Sequence, residues 1–180
     1  VSISVVDRRR VRLWSLLALS LTLAAPATAG TIGQDAAACD GNRGPAIAVT
    51  VEGLKDRRGE MWLELYPAND ADFLADDHEL AAAGKVFRRT RAPLPTTGAV
   101  AMCVKVPRPG RYALLLRHNR VDRDKFSFWS DGVGVPGTTR LGRSKPTIDQ
   151  AAVSAGAGVT TTSIRLQYLR GFGFSALSGE

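Results

Sequence analysis

From Ile47 onward the chain alternates between apolar and polar positions. Ile47, Val49 and Val51 take turns with Ala48, Thr50 and Glu52, and Met61, Leu63 and Leu65 take turns with Trp62, Glu64 and Tyr66. A period of two sends successive side chains to opposite faces, so both stretches are predicted strands. Asp56-Arg57-Arg58-Gly59 between them is turn-forming, and the pair reads as a hairpin. Pro67 ends the second strand. Asn69 to Ala83 is acidic and then Ala-rich, which predicts a short helix or helical loop with Asp70 as its N-cap. Its run Asp70, Asp72, Asp76, Asp77, His78 and Glu79 reads as a solvated face anchored by Phe73 and Leu74.

Val86 to Arg91 is a basic strand, and the Pro93 to Gly98 stretch is a turn. Val100, Met102, Val104 and Val106 alternate again and put Cys103 on the opposite face. Pro107-Arg108-Pro109-Gly110 then turns the chain into a row of Tyr112, Leu114 and Leu116. Pro109, Gly110 and Tyr112 predict a structural corner, in which the Tyr ring is buried and its hydroxyl returns to nearby backbone. Asn119 to Lys145 is long, Gly-rich and polar, with Phe126, Phe128 and Trp129 inside it. A weak strand is expected between Ala151 and Ser154, and a last clear one from Val159 to Leu169. About seven short strands and one short helical segment predict an all-β domain, an antiparallel Greek-key β-sandwich of immunoglobulin-like or transthyretin-like type.

The first residues follow a different pattern. Arg8, Arg9, Arg10 and Arg12 precede an apolar run from Leu13 to Ala25, and Pro26-Ala27-Thr28-Ala29 closes it with small residues. Those are the three parts of a Sec-type signal peptide, with cleavage expected after Ala29, or after Ala27 as the alternative. The apolar run falls short of the ~20 residues that a bilayer span needs. A twin-arginine route is disfavoured by Arg12, which stands where that signal wants a bulky apolar side chain. The expected organisation is therefore a signal peptide at 1–29, a flexible tail at 30–45, the β-sandwich domain at 46–170 and a C-terminal tail at 171–180. The expected location is the periplasm or the medium, with no transmembrane segment in the mature form.

Removing the leader changes the charge argument. The full chain carries +7, but residues 30–180 hold 20 basic and 16 acidic side chains, or +4. A mildly basic exported protein suits an anionic envelope polysaccharide or another envelope protein as partner, and not nucleic acid. An oxidising compartment also makes Cys39 and Cys103 an expected disulfide, which would pin the 30–45 tail to the domain. Lipidation of Cys39 fails on spacing, because the apolar run ends well upstream.

The stretch from Pro109 to Pro136 carries a resemblance. Pro-Gly-Arg-Tyr-Ala-Leu-Leu-Leu-Arg-His-Asn, a polar loop with Lys125-Phe126, and Asp131-Gly132-Val133-Gly134-Val135-Pro136 together resemble an uncharacterised bacterial family of secreted or periplasmic proteins, domain of unknown function 2141. Val49-x-Val51-x-Gly53-Leu54 and the closing strand through Tyr168 fit as well, so the resemblance spans roughly Ala46 to Tyr168. It implies a β-sandwich and carries no established activity or ligand. Asn119 departs from the family, which usually has Asp after this His.

His118, Asn119, Asp122, Asp124 and Asp131 make this loop the candidate polar site. Asp122-x-Asp124 starts like a calcium loop, but Phe126, Ser127 and Val133 stand where that loop needs a ligand, a Gly and a Glu. No metal or other cofactor is assigned. No catalytic residue is assigned either, since a base at His118 would need a nucleophile and an orienting group that no motif supplies. Lys85, Arg88, Arg89 and Arg91 read as a charged edge strand, a standard defence against edge-to-edge pairing. The expected function is that of a non-enzymatic binding or accessory module of the envelope; the alternative is a metal-dependent or hydrolase-like enzyme using the His118–Asp131 loop.

Overall fold

The computed structural model describes residues 1–2, 30–121 and 123–177. Residues 3–29 of the expected leader, with both cleavage points, and Asp122 of the candidate loop lie outside them. In chain order the elements are β1 Gly30–Ile32, α1 Ala36–Asp40, β2 Ala46–Glu52, β3 Glu60–Pro67, α2 Asp77–Ala82, β4 Arg88–Pro93, β5 Val100–Lys105, β6 Gly110–Asn119, β7 Gly132–Gly134, α3 Ile148–Ala151, β8 Ala152–Ala155, β9 Val159–Arg165, β10 Gln167–Arg170 and β11 Gly173–Ala176. The protein is all-β, with two sheets. A four-stranded sheet runs β1-β5-β2-β9, and a seven-stranded one runs β11-β10-β7-β6-β3-β4 with β8 also on β6.

The alternating rows explain why these two sheets face each other. Ile47, Val49, Val51, Val100, Met102, Val104 and Ile164 come from the small sheet. Met61, Leu63, Leu65, Tyr112, Leu114, Leu116 and Tyr168 come from the large one, and all share one buried cluster. Burying such a side chain contributes about 1.5–3 kcal/mol, so this row is the main source of stability. The large sheet is covered on its other face too. Tyr66, Leu80, Ala113, Leu115, Val135 and Ala151 form a second cluster there, packed against Phe73, Leu74, Phe87 and Ile148.

Several expectations are corrected. β2 and β3 do not form a hairpin: β2 pairs with β5 and β9, whereas β3 pairs with β4 and β6. Their apolar rows meet across the interior, so Asp56–Gly59 carries the chain from one sheet to the other. The pairs β1–β5 and β2–β9 are parallel, so the fold is not purely antiparallel. Eleven strands and three short helices occur among the described residues, where about seven and one were expected. The acidic segment's helix starts later, with Asp76 and not Asp70 as N-cap, its carboxylate accepting from His78 N and Glu79 N. Residues 30–45 carry β1 and α1, and residues 173–176 form β11, where tails were expected. The Val159–Leu169 strand splits at Leu166, whose N–H donates to Glu52 O as the chain crosses between sheets.

β7 lies inside the long polar stretch, between β6 and β10. Its glycines explain how so short a strand fits there. A Cβ on Gly132 would sit 2.5 Å from the Tyr168 ring, and one on Gly134 would sit 2.6 Å from Arg165 O. Only a bare backbone can pass between them.

Candidate ligand-binding cleft

The His118–Asp131 loop is built from groups that satisfy one another. His118 ends the inner row of β6 and is fully buried. Its Nε2 lies 2.7 Å from Arg58 O, and a carbonyl only accepts, so Nε2 carries the proton. Nδ1 must then accept the hydroxyl proton of Tyr168, 2.7 Å away, and Tyr168 Oη in turn accepts Lys55 N–H at 3.0 Å. Burial pushes the imidazole below its usual pKa of 6.5, and this outweighs the Arg58 bond and the Asp56 charge. The ring is neutral, with both nitrogens engaged. Gly59 makes the approach possible: its φ is +72°, and a Cβ there would lie 2.0 Å from Asn119 O.

The other loop residues serve the same purpose. Asn119 is clamped to Arg123 through N and O of its backbone at 3.4 and 3.0 Å. Asp131 accepts from Arg120 N and Ser130 Oγ on one oxygen and from Ser127 N on the other. Asp124 is exposed. Asp56 holds the Nε–Nη2 edge of Arg120, whose guanidinium keeps that carboxyl below its usual range. Among the described residues no group of three or more His, Cys, Asp or Glu is placed to hold a metal ion.

The remaining sequence-predicted residues have structural partners. Cys39 and Cys103 are bonded, with Cα atoms 6.0 Å apart, and this ties α1 to β5. After the Pro109-Gly110 turn, the Tyr112 ring is buried and its hydroxyl donates to Arg108 O at 2.8 Å. The basic strand is the sheet edge, β4, and its cations face inward partners. Arg88 presents its Nε–Nη2 edge to both oxygens of buried Asp35. Burial raises the Asp35 carboxyl, but Arg88 and the Lys105 N–H outweigh it and hold it below its ordinary value. Gln34 Oε1 accepts Arg91 N–H at 2.7 Å and so caps the open edge. In the acidic segment, Asp72 pairs with Lys85 and Asp77 with Arg89.

A second constellation escaped the sequence reading. The register aligns Arg91, Trp62, Arg117, Val133 and Gln167 across β4, β3, β6, β7 and β10. This row lies on the face of the large sheet turned away from the main core. Trp62 is flanked by three guanidinium groups, Arg91 at 3.9 Å, Arg117 at 4.6 Å and Arg89 at 5.2 Å from the ring centroid. Beside it, the buried Glu64 carboxylate accepts from Arg89 Nε at 2.7 Å and Tyr66 Oη at 2.8 Å, with Arg117 Nη1 at 3.5 Å. Burial and the Glu64 charge both raise the Tyr66 pKa, so its hydroxyl stays a donor.

Above this floor opens a cleft of about 770 Å³, within the size range of small-molecule sites. Phe126, Phe128 and Trp129 from the polar loop form one wall, and Phe172 and Phe174 at the C-terminal end form another. Phe126 and Phe128 meet edge to face, and both approach Phe174. Trp129 is 86% exposed, Phe172 89% and Phe128 62%. Gln167 holds the third side in place: its amide donates to Thr138 O and accepts from Leu141 N. Arg143 and Lys145 stand on that side, so among the described residues four cations line the cleft against one carboxylate, Glu64.

These features define a class: an all-β protein of two packed sheets that carries an aromatic, basic-floored cleft on the outer face of the larger sheet. The chain belongs to the bacterial family described as uncharacterized protein conserved in bacteria, domain of unknown function 2141, whose model matches residues 49–163. No curated protein and no solved structure matches it. Phe172 and Phe174 lie beyond the matched residues.

Proposed function

We propose that the protein is an exported, non-enzymatic binding module of the bacterial envelope, and that the cleft on the outer face of the large sheet is its ligand site. In this reading the two sheets are a β-sandwich scaffold, of the immunoglobulin-like or transthyretin-like type expected, and the ligand sits outside it. The observation that carries the proposal is the gathering of Phe128, Trp129 and Phe172 around one cavity while each stays exposed. Scattered exposed aromatics are ordinary, but a contiguous apolar surface around a concavity marks an interaction site. The mostly apolar lining favours a small apolar ligand over an envelope polysaccharide, which would need many more hydrogen-bonding groups.

The rival, an enzyme working through the His118–Asp131 loop, has the bonding of that loop against it. A general base needs a free lone pair within reach of substrate, and His118 Nδ1 is bonded to Tyr168 beneath the surface. A titration with the neutral fluorophore N-phenyl-1-naphthylamine tests the proposal. Saturable binding to the wild type, weakened in a Trp129→Ala, Phe172→Ala double variant, supports it. A folded wild type that leaves the fluorophore in water overturns it.

A further inference from the structure

The cleft floor holds a group that the fold does not satisfy. Arg117 is 8% exposed, and its Nε and Nη2 are buried without a hydrogen-bond partner. Its third nitrogen, Nη1, has only the long contact to Glu64 at 3.5 Å. An arginine stays charged at any ordinary pH, and a buried donor left unmade costs about 1–3 kcal/mol, more for a charged group. Stacking on Trp62 and on Phe126, 5.6 Å away, engages the face of the guanidinium but not its edge.

The unpaired edge has a definite chemical preference. Nε and Nη2 point to the same side of a guanidinium and match the two oxygens of a carboxylate. The same molecule sets that edge against a carboxylate twice, in Arg88 on Asp35 and in Arg120 on Asp56, where Nε is shared between the two oxygens. In Arg117 alone of these three, the edge has no acid among the described residues to meet it, and the residue lines the cleft. Arg143 and Lys145 add positive charge around the opening, whereas Arg89 is paired with Glu64 and Asp77. The lining beyond them is aromatic and aliphatic: Phe126, Phe128, Trp129, Leu141, Leu169 and Phe174.

We infer that the cleft takes a monomeric amphipathic acid, a single carboxylate on an apolar body such as a fatty acid, with the carboxylate on the Nε–Nη2 edge of Arg117. The inference rests on the proposed function above and adds the chemical class of the ligand. Phe126 packs over the guanidinium and is the side chain that an entering acid displaces. The apolar body then lies against Phe128, Trp129 and Phe174. Arg143 and Lys145 steer the anion to the opening but do not select it, because their charges remain in solvent.

Calorimetric titration of the mature protein with dodecanoate and with dodecanol separates the two claims. Dodecanoate should bind about 10- to 100-fold more tightly, the factor that one charge-assisted pair supplies. Arg117→Gln should remove that preference while dodecanol still binds, and Trp129→Ala should weaken both ligands together. Equal affinity for acid and alcohol in the wild type overturns the inference and leaves the binding cleft standing. Binding of neither overturns both. The acid–alcohol comparison uses the wild type, so it decides the matter even if Arg117→Gln does not fold.

Discussion

Tyr168→Phe should be far more damaging than Tyr112→Phe, although each removes one hydroxyl from a buried ring. The Tyr112 hydroxyl makes one bond, to Arg108 O, at a partly exposed corner where water can replace it. Its loss should cost about 0.5–1.5 kcal/mol. The Tyr168 hydroxyl makes two bonds, donating to His118 Nδ1 and accepting from Lys55 N–H. Without it, Nδ1 remains at the centre of a fully buried imidazole with no donor. The lost bonds and the stranded acceptor together come to about 2–4 kcal/mol. For a domain of this size that is a drop in Tm of about 5–15 °C. Urea titration followed by tryptophan fluorescence reads both variants, and an unchanged slope would show that stability, not compactness, had moved. If Tyr168→Phe costs no more than Tyr112→Phe, His118 does not depend on that hydroxyl. The structural reading of the loop would then be wrong.

The pH dependence should have two separate windows. Because the folded pKa of His118 lies below 6.5, the imidazole is neutral in both the folded and the unfolded chain above that pH. Stability should fall as the pH drops below about 6.5 and the unfolded chain takes up the proton first. The pKa values of Asp35 and Asp56 are held below 3.8, so their contribution is present above that value and is lost only in stronger acid. Urea midpoints across pH 3–8 check the order, and a stability flat from pH 7 to 5 would contradict the neutral His118. Reducing the Cys39–Cys103 bond, which closes a 64-residue separation, should cost about 4 kcal/mol in the chain-entropy account. Equal urea midpoints for the oxidised and the reduced protein would show that the bond constrains nothing. Protein recovered from the envelope or the medium should begin at Gly30, and N-terminal sequencing that finds Arg8 to Arg12 retained would contradict cleavage after Ala29.

The inner face of this fold was legible because alternation is a local signal. Ile47, Val49 and Val51, or Leu114 and Leu116, declare a buried row without reference to any other segment. Alternation assigns a face and not a partner, so β2 and β3 looked like a hairpin when their rows in fact meet across the core. β7 was hidden because Gly-Val-Gly shows no alternation, and its glycines are required by Tyr168 and Arg165, distant in sequence. The cleft was hidden for a related reason. Its aromatics sit in two stretches that read as loop and tail, and they meet only because β10 and β11 bring Leu169 opposite Phe174 beside the polar loop. Two signals did point to it. Phe126, Phe128 and Trp129 cluster in an otherwise polar loop, and Arg117 interrupts an apolar strand on its outward row.

The central claim is that ligands enter the outer-face cleft and not the His118 loop. Amide and indole shift perturbations in ¹H–¹⁵N spectra, recorded as N-phenyl-1-naphthylamine is added, locate the site directly. Shifts should concentrate at the Trp129 indole N–H, at residues 141–145 and at residues 171–174, while Lys55, His118 and Asp131 stay in place. Perturbations centred on Lys55, His118 and Asp131, with the Trp129 indole unmoved, would contradict the account.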